Sequence, residues 1–267
     1  MMLELERTRE LLDRFGLTTA SALLDAKLET ASKRDDPYLT FLTELLEDEN
    51  SQRSIRSQQA RLKLSNLPNH KTLLDFDFSF QPGIDQRQIK ELATLSFAAR
   101  KENVIFLGPP GVGKSHLSIA LAMEAIKSGL TVYFVSVADL IRDLKKAETL
   151  GKLEQRWKVY LRPNVLILDE IGYSQLDRNS SELLFQIISK RYENGSIIMN
   201  SNKNFSSWGE VLGDAVMATA MLDRLLHHCT VINIRGGETY RLRERRKAGI
   251  LTVPPANIPA MEKPALE

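Results

Sequence analysis

The octapeptide Gly108-Pro109-Pro110-Gly111-Val112-Gly113-Lys114-Ser115 has the spacing G-x-x-x-x-G-K-S and stands between an apolar run and a helix-forming run. That is the context in which such a loop binds phosphate. Its glycines let backbone N–H groups curl around phosphate oxygens with no Cβ in the way. The helix that follows turns its positive end toward the same anion. In this pattern Lys114 reaches the β- and γ-phosphates and Ser115 ligates Mg²⁺. The nucleotide-lining stretch runs on to His116, which carries no further signal of its own. Farther along, four apolar residues, Val165-Leu166-Ile167-Leu168, end in Asp169-Glu170. A buried strand with this ending delivers two carboxylates to the edge of a sheet where α/β ligands sit. Asp169 then holds Mg²⁺, and Glu170, pointing the other way, polarises an attacking water. The next apolar run closes on Asn200-Ser201-Asn202. Asn202, at the strand tip, is the first choice to orient that water, with Asn200 in reserve. Arg224, at the end of a helix far from the loop in sequence, is either a trans-acting contact to a neighbour's γ-phosphate or half of a surface pair with Asp223. His227-His228 lack a second ligand pair, and adjacent side chains are expected to diverge, which argues against a metal there.

Composition limits the class. The chain has 267 residues, of which 43% are hydrophobic and 26% charged, with 36 Lys+Arg against 34 Asp+Glu. These proportions are those of a globular protein and exclude collagen-like, fibrous and wholly disordered chains. A net charge of +2 is nearly neutral, so any nucleic-acid surface must come from local clustering. The single cysteine, Cys229, cannot close an intramolecular disulfide. No signal peptide is readable at the N-terminus, and no run approaches a membrane span. A cytoplasmic protein without a membrane partner is expected.

The elements that must position these residues follow from periodicity. Residues 1–66 read as a small all-helical N-terminal domain, with breaks near Gly16 and at Pro37. Up to Asn50 the block is acidic; from Ser51 to Asn66, Arg53, Arg56, Arg61 and Lys63 appear with no acid among them. Asn66-Leu-Pro-Asn-His70 marks a boundary. The Phe-rich run 71–80 looks extended, and a helix is expected over 85–100. Strands at 103–107, 131–137, 165–169, 196–202 and 230–234 then alternate with helices at 113–128, 138–149, 179–193 and 213–226. Strands separated by helices make a parallel sheet covered on both faces. The second domain therefore spans 67–250. Residues 251–267, rich in proline, are expected to be a disordered tail.

The blocks KTLLDFDFSFQPGIDQRQIKELATLSF (71–97) and SSWGEVLGDAVMATAMLDRLLHHCTVINIRGGETYRLRERRKAG (206–249), together with GPPGVGKS and LILDE, resemble IstB, the helper ATPase family of insertion-sequence transposases. IstB shares a clade with the DnaC helicase loaders, within the AAA+ ATPases. The resemblance implies an AAA+ P-loop ATPase with a five-stranded parallel sheet flanked by helices. It further implies ATP and Mg²⁺ as cofactors, assembly as a homo-oligomer on double-stranded DNA, and recruitment or stimulation of a cognate IstA-like, DDE-type transposase. It favours the trans-acting reading of Arg224 and suggests a second-sensor role for Arg241. Only 33 residues follow the last strand, so a C-terminal lid must be reduced or absent.

Three basic segments could meet DNA phosphates: 53–63 with Arg53 and Arg56; 142–162 with Lys145, Lys146, Lys152, Arg156 and Lys158; and 235–247. In AAA+ relatives the second commonly faces a central channel and is favoured here. Largely sequence-independent binding is expected. Two alternatives stay open. A helicase loader would grip a helicase through residues 1–66 and prefer single strands, with Trp157 and Tyr160 as stacking platforms. A small-molecule kinase would pass phosphate to an acceptor.

Overall fold

The computed structural model describes residues 2–234 and 239–240. Arg241, any C-terminal lid and the 251–267 tail lie outside the described residues. The N-terminal block holds three helices, α1 (Met2–Arg14), α2 (Thr18–Arg34) and α3 (Tyr38–Leu64). Gly16, in the left-handed region, follows the end of α1, and Pro37 opens α3. A small core of Ala20, Leu24 and Leu45 joins them, supported by Leu12, Leu17 and Phe41. Apolar burial of this size is modest, and one polar contact adds to it. The Glu49 carboxylate of α3 accepts hydrogen bonds from the backbone N–H groups of Thr19 (2.7 Å) and Ala20 (3.0 Å) at the start of α2. Those are donors that a helix cannot satisfy internally. Arg56 completes the knot, donating to Thr18 Oγ1, Thr19 Oγ1 and Glu49.

Burial pushes the Glu49 carboxyl up, but the Ala20 and Thr19 N–H groups and the Arg56 charge outweigh it, and its pKa falls below the ordinary value. A depressed folded-state pKa gives stability that is present above the unfolded-state value and is lost as pH drops through the folded one. Glu49→Gln is therefore expected to cost about 1–2 kcal/mol near neutrality. The difference from the wild type should shrink below about pH 4. Urea unfolding followed by circular dichroism across that range checks both statements; equal stability at pH 7 would remove Glu49 from this role.

The long helix α3 leaves the N-terminal block and packs its last turns on the α/β part of the chain. Arg61 donates to Ile126 O, and Ser65 O accepts from the backbone N–H of Phe134 (2.8 Å). That part is built on five parallel strands: β1 (Asn103–Leu107), β2 (Val132–Ser136), β3 (Val165–Ile171), β4 (Ser196–Ser201) and β5 (Cys229–Asn233). Their order across the sheet is β2-β3-β4-β1-β5. Ahead of β1 come α4 (Gln86–Leu92) and α5 (Ser96–Ala99). Between and after the strands come α6 (Lys114–Lys127), α7 (Val137–Thr149), α8 (Leu153–Leu161), α9 (Arg178–Arg191), α10 (Trp208–Leu212) and α11 (Ala215–Leu226). Strand residues alternate between two cores. Ile105, Leu107, Leu166, Leu168, Ile197 and Met199 join side chains of α7, α8, α9 and α11. Val104, Phe106, Val165, Ile167 and Ile198 join those of α4, α5 and α6. Burial on both faces explains why the strands read as continuous apolar runs.

The architecture expected from sequence is present, with local corrections. Residues 71–80 form turns, because Phe76 buries against Phe78 and His116 instead of joining the sheet. The helix expected over 85–100 breaks at Leu95, which takes φ 64. The helix expected from 213 starts at Ala215, with Gly213 left-handed after the separate α10. An additional helix, α8, carries Trp157 and Tyr160 inward, at 3% and 1% exposure. Neither ring is available to stack on DNA, which removes the feature that would have favoured a loader. Arg191 holds this region together. Fully buried, its guanidinium donates to the carbonyls of Tyr160, Leu161, Pro163, Asn164 and Ser196 at 2.8–3.3 Å. It thereby serves the unpaired C-terminal end of α8, and burial lowers its pKa to about 10. Among the described residues no helix is long and apolar enough to cross a membrane.

Candidate active site

The strand order puts the C-terminal ends of β1, β4 and β3 side by side, with β4 between the other two. The loop 108–115 therefore meets the ends of β4 and β3 across one cleft. Gly111 and Gly113 take φ 84 and 103, the left-handed conformations that bend the loop over the start of α6. Lys114 Nζ donates to the carbonyls of Gly108 (2.7 Å) and Pro109 (2.8 Å), tying the ammonium across its own loop.

At the end of β3 the period-2 alternation fails. The β3–β4 register shifts between Leu168 and Ile171, and Glu170 sits at φ 65, left-handed for a residue with a side chain. Such an irregularity re-aims a side chain. Asp169 and Glu170 both line the cleft, the former buried and the latter exposed. Asp169 is buried at 8% exposure. Its Oδ1 accepts from the Glu170 backbone N–H (2.9 Å) and from Asn200 Nδ2 (3.0 Å). Asn200 Oδ1 in turn accepts from Ser118 Oγ of α6 (2.7 Å). One buried chain of hydrogen bonds thus links the helix behind the loop, the central strand and the acid. Asn200 is a positioning residue for Asp169, while Asn202 faces the cleft. Asn202 Oδ1 is buried without a hydrogen-bond partner among the described residues, an arrangement that calls for a ligand or water.

The cleft has a volume of about 350 Å³ and is lined by Pro110, Gly111, Gly113, Lys114, Ser115, His116, Asp169, Glu170, Asn200 and Asn202. Gly108, Pro109 and Val112 are not among the lining residues; Val112 is fully buried beneath the loop. Residues missed in the sequence complete the walls: Asn69, Lys71, Ile119, Tyr173 and Tyr240. Tyr240 donates its backbone N–H to Gly111 O (3.0 Å) and its hydroxyl to Asp77 O (2.8 Å), with its ring 4.4 Å from that of Phe80. No local pattern marks these residues: Asn69, Lys71 and Tyr173 come from loops that only the fold brings to the cleft. His116 Nε2 lies 3.0 Å from Thr72 O. Burial pushes its pKa below the usual value, favouring a neutral ring at pH 7. A glycine cradle beside a helix start, an ammonium, a hydroxyl and a buried carboxylate suit a nucleoside triphosphate with a divalent cation.

A family model described as IstB-like ATP binding protein matches residues 11–248. The chain belongs to this family. Relatives in IstB-like sequences are close. It is 51% identical over 241 residues to the insertion sequence IS5376 ATP-binding protein of Geobacillus stearothermophilus, covering 90% of this chain and 96% of the relative. It is 49% identical over 242 residues to the insertion sequence IS21 ATP-binding protein of Pseudomonas aeruginosa, covering 91% of each. Among solved structures, AMPPCP-bound DnaA from Aquifex aeolicus superposes with TM-score 0.53 at 20% identity, over 71% of this chain and 58% of that one. DnaI does so with TM-score 0.50 at 23% identity, over 65% and 90%. These two likenesses bear on the fold alone.

In this IstB-like chain Arg224 stands apart from the cleft. It lies in the last turn of α11, donating to Ala220 O (3.0 Å), with its guanidinium 4.8 Å from the Phe185 ring. It does not pair with Asp223 through any described ion bridge. The basic residues divide into two groups. Lys145 is bridged to Asp177 (2.7 Å), Arg156 to Asp143, and Arg56 to Glu49. Arg53, Lys146, Lys152 and Lys158 are exposed. The basic segment 235–247 lies almost wholly outside the described residues.

Proposed function

We propose that this protein hydrolyses ATP as the helper of a DDE-type, IstA-like transposase, assembling on duplex DNA as an ATP-bound oligomer. The observation that carries the reading is the convergence of the phosphate loop, Asp169, Glu170 and Asn202 on one cleft in a chain of the IstB-like family. Backbone N–H groups of the loop and Lys114 bind the triphosphate. Ser115 and Asp169 hold Mg²⁺, which when bound neutralises charge on the phosphate oxygens. Glu170 accepts the proton of the attacking water, and Asn202, which lines the cleft, orients that water through its side-chain amide. Relatives named as insertion sequence ATP-binding proteins support the transposition context.

Arg224 lines no part of its own chain's cleft, so its charge is free to serve a neighbour's γ-phosphate. Arg224→Ala is expected to leave nucleotide affinity near wild type while lowering turnover about 10³-fold or more. Paired nucleotide titration and phosphate-release assays check this; normal turnover would sink the assignment. The exposed Lys146, Lys152 and Lys158 supply the backbone contacts, and Lys145 can exchange the exposed Asp177 carboxylate for a phosphate at little cost, while Arg156 is held by the part-buried Asp143.

Electron microscopy of Glu170→Gln with ATP, on duplex and on single-stranded DNA, tests the assembly. Ordered oligomers on bent or wrapped duplex are expected. Assembly on single strands alone would favour a DnaC-like helicase loader instead.

A further inference from the structure

The opposite end of the sheet from the cleft carries a second group of donors. The chain has four histidines, and two of them, His227 and His228, follow α11 directly. Their rings do not diverge as adjacent side chains on a regular element would. They leave the helix end in a turn, with ring centroids 4.0 Å apart. Glu193, just past α9, completes the cluster. One ligand atom from each of Glu193, His227 and His228 lies within 4.8 Å of the others, and all three residues are exposed.

We propose that Glu193, His227 and His228 form a binding site for a divalent transition metal of the zinc type. Two imidazoles and one carboxylate match the preference of zinc, cobalt and nickel and do not match that of magnesium or calcium, which take oxygen ligands. A tetrahedral zinc with bonds of about 2.0–2.1 Å needs donors roughly 3.3–3.5 Å apart. Exposed side chains reach that spacing by small rotations. His227 is already oriented from behind, since its Nδ1 lies 2.7 Å from the Tyr192 hydroxyl. That contact leaves Nε2 to face the metal, the arrangement in which an outer partner fixes the ring of a ligating histidine. His228 is anchored through its backbone, whose carbonyl accepts from the N–H of Asn103 at the start of β1 (2.8 Å).

The location gives the site a consequence. Glu193 follows α9 and the histidines follow α11, so a bound ion fastens the ends of two helices, adding to the Tyr192–His227 hydrogen bond between them. Arg224 lies one turn before His227, and its guanidinium rests on Phe185 of α9. Metal occupancy therefore stiffens the helix end that presents this arginine. The inference stands on the donor geometry and does not depend on the proposed function.

Calorimetric titration of the tag-free, full-length chain with Zn²⁺, and visible absorption with Co²⁺, test the site. One equivalent is expected, with the intense d–d bands of a four-coordinate Co²⁺ site. His227→Ala, His228→Ala and Glu193→Gln should each weaken binding at least about tenfold, and excess Mg²⁺ should not compete. His70→Ala, at an exposed histidine remote from the cluster, should leave affinity unchanged. All four positions are exposed, and circular dichroism confirms that each variant is folded. Absence of stoichiometric binding, or affinity that is the same in the three cluster variants as in the wild type, overturns the proposal.

Discussion

Glu170→Gln lowers ATP turnover by about 10²–10⁴-fold while nucleotide affinity stays near that of the wild type. The size is that of a general base removed from a proton transfer. Affinity survives because the amide keeps the shape of the side chain, and the phosphate-binding donors of the loop are untouched. Single-turnover phosphate release and fluorescent-nucleotide titration read the two quantities separately. Glu170 also adopts φ 65, a conformation that costs a residue with a Cβ about 1–2 kcal/mol. Glu170→Gly should therefore be as inactive as Glu170→Gln and yet unfold at a higher temperature. A shared loss of activity with a gain in stability for Glu170→Gly alone would show that the backbone is held in this conformation for the sake of the carboxylate. If Glu170→Gln turned over normally, the water-activating group would have to be sought elsewhere in the cleft.

Gly113→Ala should damage both the fold and nucleotide binding. A Cβ there would sit 2.5 Å from Phe76 Cε2 and 3.0 Å from its Cζ. Phe76 cannot step aside: it is 5% exposed and packed edge-on against Phe78 and His116. Overpacking of this kind costs about 1–3 kcal/mol, to which the φ of 103 adds about 1–2 kcal/mol. The loop would relieve the clash by moving, which displaces its N–H groups from the phosphates and should weaken nucleotide binding about 100-fold or more. Gly129→Ala is the control, since Gly129 has φ +95 but nothing within 4 Å of the added carbon. It pays the backbone cost without the clash and lies away from the cleft. Thermal unfolding and nucleotide titration of both variants separate the two contributions. Equal damage in the pair would mean that Phe76 does not buttress the loop.

Much of this protein is legible in its sequence because the signals are local. The loop 108–115 needs only its glycines, its lysine and the adjoining strand and helix. The strands that bury both faces announce themselves as short apolar runs, and each was expected to within one or two residues. Asp169 is marked by standing at the end of such a run. In each case the physics acts between residues close in the chain: a turn, a helix start, an alternation of side chains.

The tertiary structure decided what depends on distant neighbours. The left-handed turn of the backbone at Glu170 and the irregular pairing of β3 with β4 beside it carry no local signal. Asn200 is a strand asparagine like many others until the order β3-β4-β1 sets it between Ser118 and Asp169. Trp157 and Tyr160 stand in a basic segment, yet α8 packs them inward, with Arg191 serving the end of that helix. The rings of His227 and His228 meet because the helix stops between Leu226 and β5, and Glu193 reaches them only through the packing of α9 against α11. A sequence specifies local conformation through interactions over a few residues. Which side chains meet across the sheet is settled by strand order, register and burial, which are properties of the whole fold.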